Sequence, residues 1–291
     1  MKQGWLIVNG FLDSPKFDEI YNWILSAAKE NKVELRKLTN DQVTSILPIS
    51  TGETDWKAEP DFVLFWDKDV KLARMLEAEG FKVFNRADAI EACDDKSLTF
   101  IKLKETDIPM PVTFNAPLTF ESKYPDYTFL LQVENKLGYP MIIKKNEGSF
   151  GNEVFLAKDF NEAATIAEKL GPNSFIMQEY IESSKGKSAR LQVVGGEVIT
   201  SMKLTNEEDF KSNVTGGGKM EKYEPTDEGK EIAIKACERL GLDFAGVDII
   251  WNKDDKPLLC EINSNAHFKN IFDCTGVDAA DAIIEYILKK I

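Results

Sequence analysis

Two apolar runs near the C-terminal end are each interrupted by a carboxylate: Gly246-Val247-Asp248-Ile249-Ile250-Trp251 and Leu258-Leu259-Cys260-Glu261-Ile262-Asn263. A charge inside a buried strand is strongly disfavoured unless a partner or an ion meets it. The segment between the runs, Asn252-Lys253-Asp254-Asp255-Lys256, reads as a turn, so the two are expected to pair as an antiparallel hairpin. Side chains alternate along a strand, which puts Glu261 and Asn263 on one face; Asp248 joins them if the register sets it opposite. Two carboxylates and an amide oxygen suit Mg²⁺, which takes few protein ligands and completes its octahedron with water and nucleotide phosphates. The competing reading is a solvated strand face.

The rest of the 291-residue chain divides into three blocks. In residues 1–92, apolar runs at Trp5–Val8, Val33–Leu38, Asp61–Trp66 and Phe81–Phe84 alternate with helical patterns. The first helix starts at Ser14-Pro15, as N-cap and first helical position, and the second spans Lys71–Glu79 and closes at Gly80. This alternation predicts a small parallel α/β layer. Residues 93–180 open with a helix over Lys96–Lys104 and the turn Ile108-Pro109-Met110-Pro111; a helix near Phe129–Leu137, strands Met141–Lys145 and Val154–Ala157, a helix Asn161–Leu170 and a strand Phe175–Tyr180 follow. Residues 181–291 begin with strands Ala189–Val194 and Glu197–Leu204 around Gly195-Gly196, a tight-hairpin signal. A helix capped by Thr226 and stopped by Gly241 then leads to the carboxylate hairpin.

With 36 Lys and Arg against 49 Asp and Glu, the net charge of −13 repels polyphosphate backbones and anionic lipid, so no nucleic-acid or membrane partner is expected. No apolar run approaches the roughly 18 residues that span a bilayer, and Trp5–Val8 is too short for a signal-peptide core, so a cytoplasmic location is expected. Cys93, Cys237, Cys260 and Cys274 lack CxxC spacing and three sit in apolar stretches, so they read as buried thiols rather than a disulfide framework or a zinc site; a lone histidine, His267, argues against a His-based metal centre.

Further polar residues gather around this framework. The loop Gly148-Ser149-Phe150-Gly151 between two strands could fold backbone N–H groups over a phosphate or be a plain hairpin turn; it lacks Walker spacing. Lys144 ends an apolar strand, poised to neutralise phosphate, with Lys145 on the other face. Arg190 carries a planar fork suited to a carboxylate or acyl phosphate; its alternative is a surface strand charge. Phe210-Lys211-Ser212-Asn213 and Gly216-Gly217-Gly218 form a polar loop that contacts phosphates or substrate, or is simply a surface loop.

Taken in order, these motifs resemble the ATP-grasp superfamily and, within it, the RimK-like ligases. Asp95-Lys96 with Pro109-Met110-Pro111 resembles the family's Asp-Lys helix and Ile-Pro-x-Pro step. Pro140–Lys144 with Gly148-Ser149-x-Gly151 is similar to its second nucleotide lysine and phosphate lid, and Gln178-Glu179-Tyr180-Ile181 to the hinge strand that takes adenine. Phe210–Asn213 with the glycine run resembles the Phe-Arg-Ser-Asn and Gly-Gly pattern, with Lys211 in place of Arg. Gly246-Val247-Asp248 with Glu261-Ile262-Asn263 resembles the magnesium triad. Ser188 stands where the family carries an acidic residue, and Ser264-Asn265-Ala266-His267-Phe268 replaces its Ser-Ser/Thr-Pro-Gly.

The resemblance implies an ATP-grasp fold: an N-terminal parallel α/β domain, then two α+β subdomains clamping ATP. It implies nucleotide contacts by Lys96, Lys144, Ser149, Gly151, Gln178, Glu179, Tyr180, Ile181, Ser188, Lys211 and Asn213. Asp248, Glu261 and Asn263 would hold two Mg²⁺ ions, with Mn²⁺ the alternative. Arg190, Lys144 and Asn213 are the catalytic candidates, and Arg190, Asn265 and His267 border the substrate. The activity implied is carboxylate–amine ligation through an acyl phosphate, the partners being a small-molecule or peptide carboxylate and an amine, with a homo-oligomer left open. The alternative is a catalytically silent nucleotide-binding regulatory or scaffold protein.

Overall fold

Strand β1 (Lys2–Val8) runs parallel to both β2 (Val33–Thr39) and β3 (Phe62–Phe65), and β3 in turn to β4 (Val83–Phe84), giving a parallel sheet in the order β2-β1-β3-β4. All four residues of β3 are buried, as expected where helices cover both faces of a parallel sheet. The structure is a computed structural model that describes residues 1–50, 60–148, 151, 153–212 and 217–291. Helix α1 (Pro15–Glu30) begins where the sequence predicts, but the Ser14 hydroxyl makes no capping bond. Pro15 at the first position and Asp18 in the first turn define that end instead. Helices α2 (Asn40–Thr44) and α3 (Val70–Ala78) complete the layer.

Helices α4 (Ala87–Asp94) and α5 (Lys96–Leu103) meet at Asp95, which ends the first and caps the second by accepting from the Leu98 N–H. The next sheet is antiparallel, in the order β5-β8-β6-β7, from β5 (Thr113–Asn115), β6 (Met141–Lys145), β7 (Val154–Ala157) and β8 (Phe175–Glu179). Helices α6 (Thr128–Leu137) and α7 (Phe160–Leu170) bury Leu130, Val133, Ala163, Ala167 and Leu170 against it.

The third sheet is also antiparallel, β11-β10-β9-β12-β13, from β9 (Lys187–Val194), β10 (Glu197–Thr205), β11 (Lys219–Lys222), β12 (Phe244–Trp251) and β13 (Pro257–Asn263). Gly195 and Gly196 both take positive φ, 62° and 82°, which a two-residue turn of this hand requires. Helix α8 (Asp227–Leu240) is capped by Thr226 as predicted, its side chain accepting from the Gly229 N–H. Beyond β13 lie α9 (Lys269–Thr275) and α10 (Ala279–Lys290). The sequence reading did not resolve α2, α4, β5, β11, α9 or α10. Among the described residues no helix is long and apolar enough to cross a membrane.

The first and third sheets share one core. Ile283, Ile284 and Ile287 of α10 pack with Ile20 and Ile24 of α1, while Trp66 stacks on Phe244 at 5.6 Å and meets Phe268 edge-on at 5.8 Å. Asn85, 0% exposed, stitches the same junction. Its amide donates to the Phe244 carbonyl at 2.9 Å and the Ser264 carbonyl at 3.2 Å, and its oxygen accepts from the Asp243 and Phe244 N–H groups at 2.7 and 3.2 Å.

Removing Asn85 strands several buried backbone groups, each unsatisfied group being worth roughly 1–3 kcal/mol. Asn85→Ala is therefore expected to lower the unfolding free energy in urea by about 2–4 kcal/mol. A loss below about 0.5 kcal/mol, the scale of an ordinary surface change, would contradict this role.

Candidate functional site

The hairpin register answers the question the sequence left open. Asp248 of β12 lies opposite Glu261 of β13, and Gly246 opposite Asn263. Past Asp248 the register slips, Ile249 pairing with Leu259, so Cys260 is the extra residue of a β-bulge. The bulge turns Cys260 and Glu261, neighbours in sequence, toward the same cleft, a cavity of about 280 Å³ that Asp248 and Asn263 also line.

The carboxylates meet cations from three directions. Strand β9 lies on the other side of β12 and sets Arg190 opposite Asp248, where its fork donates twice: Nε to Oδ1 and Nη2 to Oδ2, both at 2.6 Å. The Lys96 ammonium is 3.4 Å from Glu261. Lys144 of β6 is buried, 7% exposed, and faces the same space from the second sheet. Burial works to raise the Glu261 carboxyl, but Lys96, Lys144 and Arg190 outweigh it and hold the group below its ordinary range. Burial likewise works to lower Arg190, yet the adjoining Asp248 carboxylate wins and pushes the guanidinium above its ordinary value. Burial pushes the Asp248 carboxyl above the ordinary carboxylate range, against the pull of the Arg190 guanidinium.

Among the described residues no three His, Cys, Asp or Glu side chains gather at metal-holding spacing. Any cation here would take two carboxylates plus the Asn263 amide oxygen. That donor set fits a hard, oxygen-seeking divalent ion.

Of the residues singled out from the sequence, Lys144, Gly151, Gln178, Glu179, Tyr180, Ile181, Ser188, Arg190, Lys211, Asp248, Glu261, Asn263, Asn265 and His267 line this one cleft. Lys96 reaches it through Glu261. Ser149 and Asn213 lie outside the described residues. The Gln178 amide points into its own sheet, donating to Thr113 Oγ1 at 2.9 Å, while Tyr180 and Ile181 continue past the end of β8. The Ser188 hydroxyl lies 2.6 Å from that of Ser212. Lys211 spans the cleft, its ammonium donating to the Gly151 carbonyl at 3.4 Å.

The first sheet closes the far end, which the sequence reading missed. Lys16, Phe17, Trp66 and Lys68 line it; they lie far from the hairpin in the chain, so no local spacing announces them. Asn265 donates to the Asp67 carbonyl at 2.9 Å, and His267 Nε2 lies 3.2 Å from the Lys16 carbonyl, which makes Nε2–H the donor tautomer. His267 also meets Phe17 edge-on at 6.2 Å. Asn265 Oδ1 and His267 Nδ1 are buried and, among the described residues, have no hydrogen-bond partner.

Residues 93–287 match the model of the RimK-like ATP-grasp domain. Human N-acetylaspartylglutamate synthase A is 32% identical over 224 residues, covering 76% of this chain and 56% of that protein, so the chain spans little more than half its length. A probable alpha-L-glutamate ligase of Legionella pneumophila (strain Corby) is 34% identical over 220 residues, 75% of this chain and 70% of that one. In three dimensions the chain is similar to the D-alanine–D-alanine ligase of Bacillus anthracis, with a TM-score of 0.76 at 18% identity over 99% of this chain and 97% of that one. It is also similar to the ATP-grasp ligase PsnB in complex with a minimal precursor, at 0.73 and 17% identity over 99% of both chains. The fold is thus the ATP-grasp fold.

His267 offers a direct check on the geometry of the far end. Burial, with Lys16, Arg190 and Lys269 nearby, lowers its imidazole to about 4. An unfolded-state histidine titrates near 6.5. As pH falls from about 6.5 toward 4 the unfolded chain takes a proton that the folded chain refuses, so the stability carried by the neutral ring is fully present above about 6.5 and is lost as pH falls to about 4. Because the chain has a single histidine, one imidazole proton resonance follows it; its midpoint is expected near 4. A midpoint near 6.5 would place the ring in solvent.

Proposed function

The chain belongs to the RimK-like ATP-grasp family, and from that footing we propose that it is an ATP-dependent carboxylate–amine ligase working through an acyl phosphate. The observation that supports this most is the facing pair Asp248 and Glu261, ringed by Lys96, Lys144 and Arg190 in one cleft. Catalysis of phosphoryl transfer depends chiefly on positioning and charge neutralisation, and this is what such a cluster provides.

Ile142, Met202, Leu204 and Ile250 give the cleft apolar walls for a flat base, with the chain at Glu179–Ile181 along its edge. Lys96 and Lys144 lie where they would neutralise the phosphates, and Lys211 with Gly151 would close over them, Ser149 and Asn213 serving on the same loops. Ser188 borders the nucleotide. Asp248, Glu261 and Asn263 would hold divalent cations, which would supply charge neutralisation for the phosphoryl group being transferred. In the first step an oxygen of the acid's carboxylate attacks the γ-phosphorus, giving acyl phosphate and ADP. In the second the amine nitrogen attacks the acyl carbon, loses a proton and expels phosphate. Arg190 would steady the phosphoryl oxygens, and Asn265 and His267 border the substrate end. Closure keeps water from the acyl phosphate. The names of the relatives, a synthase and a glutamate ligase, support an amino acid as the amine.

Mg²⁺ with ADP at about 100 times its Kd is expected to stabilise the folded chain by roughly 2.7 kcal/mol. ADP release should then require both an acid and an amine, and hydroxylamine in place of the amine should intercept the acyl phosphate as a hydroxamate. Glu261→Gln is expected to lower turnover about a hundredfold or more while leaving the fold intact. Unchanged turnover in that variant would overturn the metal assignment. Nucleotide binding without ADP release for any acid and amine tried would favour a silent nucleotide-binding protein, a reading to which Ser188 in the acidic position lends support.

A further inference from the structure

Both oxygens of Asp248 are engaged by the fork of Arg190, at 2.6 Å each, so one carboxylate of the proposed cation set is already neutralised by the chain itself. Among the described residues the guanidinium has no other hydrogen-bond partner. Lys96 is held differently. Besides Glu261 at 3.4 Å, its ammonium donates to the Asn146 carbonyl at 3.3 Å and the Gly148 carbonyl at 3.4 Å, and these anchors persist if Glu261 turns to a cation.

The ground beneath Arg190 is bare backbone. Gly246 precedes Asp248 by two residues on the same face of β12, and a Cβ there would fall 3.0 Å from Arg190 Cδ and 2.5 Å from Ala266 Cβ. Glycine lets the arginine stem lie flat across the strand, between Asp248 and the end of the cleft where Ala266 and His267 sit. A side chain at 246 would block that path.

We infer that Arg190 is a counter-ion which Asp248 holds in the nucleotide-free protein and gives up when a divalent cation and nucleotide arrive. Asp248 would then serve the cation, and the released Arg190 fork would turn to the carboxylate or phosphoryl oxygens of the acid substrate. The inference rests on the Mg-nucleotide reading of the cleft. It makes the two ligands thermodynamically coupled through one side chain: each binds more tightly in the presence of the other, by a factor on the order of tenfold. The acid is thereby kept from binding productively until nucleotide is in place.

The chain has five arginines, so its guanidinium Nε–H spectrum is simple, and loss of one signal in Arg190→Lys identifies the residue. In the full-length wild-type protein without ligand, that signal should lie downfield and exchange slowly with water. ADP alone should leave it there. Mg²⁺ with ADP should move it toward the position of an exposed guanidinium and speed its exchange with water. Thermal unfolding on the same samples reports whether Mg²⁺ and ADP bind. Binding with the Arg190 signal unmoved would overturn the switch and leave the nucleotide reading intact, because Asp248 would then hold cation and guanidinium together. Absence of binding would overturn both.

Discussion

Two carboxylates facing each other across neighbouring strands are the constraint around which the cleft is organised. Like charges about 5 Å apart in a medium of effective dielectric about 20 repel by roughly 3 kcal/mol, and burial adds to the penalty. Asp248 and Glu261 remain in place because Arg190, Lys96 and Lys144 converge on them from β9, the start of α5 and β6. Strands β9 and β6 belong to two different sheets, and α5 is a helix. Neutralising the pair therefore requires the second and third sheets to approach, and the space left between them is the cleft.

The far end depends on a second junction. Asn85 and α10 bind the parallel layer to the third sheet, and the segment after Asn263 runs along that seam, where Asn265 reaches the Asp67 carbonyl. Residues of the first layer can then line a site whose charged centre is nearly 200 positions away in the chain, as Trp66 and Lys68 do. An α/β layer placed this way supplies side chains at its loop ends, where binding residues usually gather.

Much of this was legible in the chain. The carboxylate hairpin, the Gly195-Gly196 turn, the Thr226 cap and the parallel first layer all follow from local chemistry: turn residues, alternation and helix spacing. The elements that escaped are short or irregular. β5 is three residues and β11 is an exposed, lysine-rich strand, so neither has an apolar pattern of its own. Helix α10 did carry a signal, Ala279, Ala280, Ile283, Ile284 and Ile287 all being buried on one face. Ser14 shows the opposite case: the position of the helix start was right, but proline rather than a hydroxyl cap defines it.

The sequence by itself determined which chemistry the chain could hold, because residue type and local spacing decide what a strand face or loop can offer: carboxylates, an amide, lysines and one arginine on elements that recur in a recognisable order. Only the tertiary structure decided which of them meet. The pairing of Asp248 with Glu261, the bulge that turns Cys260 into the cleft, the grip of Arg190 on Asp248 over Gly246, and the closing of the far end by Lys16 and Phe17 all depend on strand register and on contacts between distant segments. A one-residue slip would send each side chain to the opposite face without altering the sequence pattern. Packing of the whole chain selects the register, so local spacing alone leaves it undetermined.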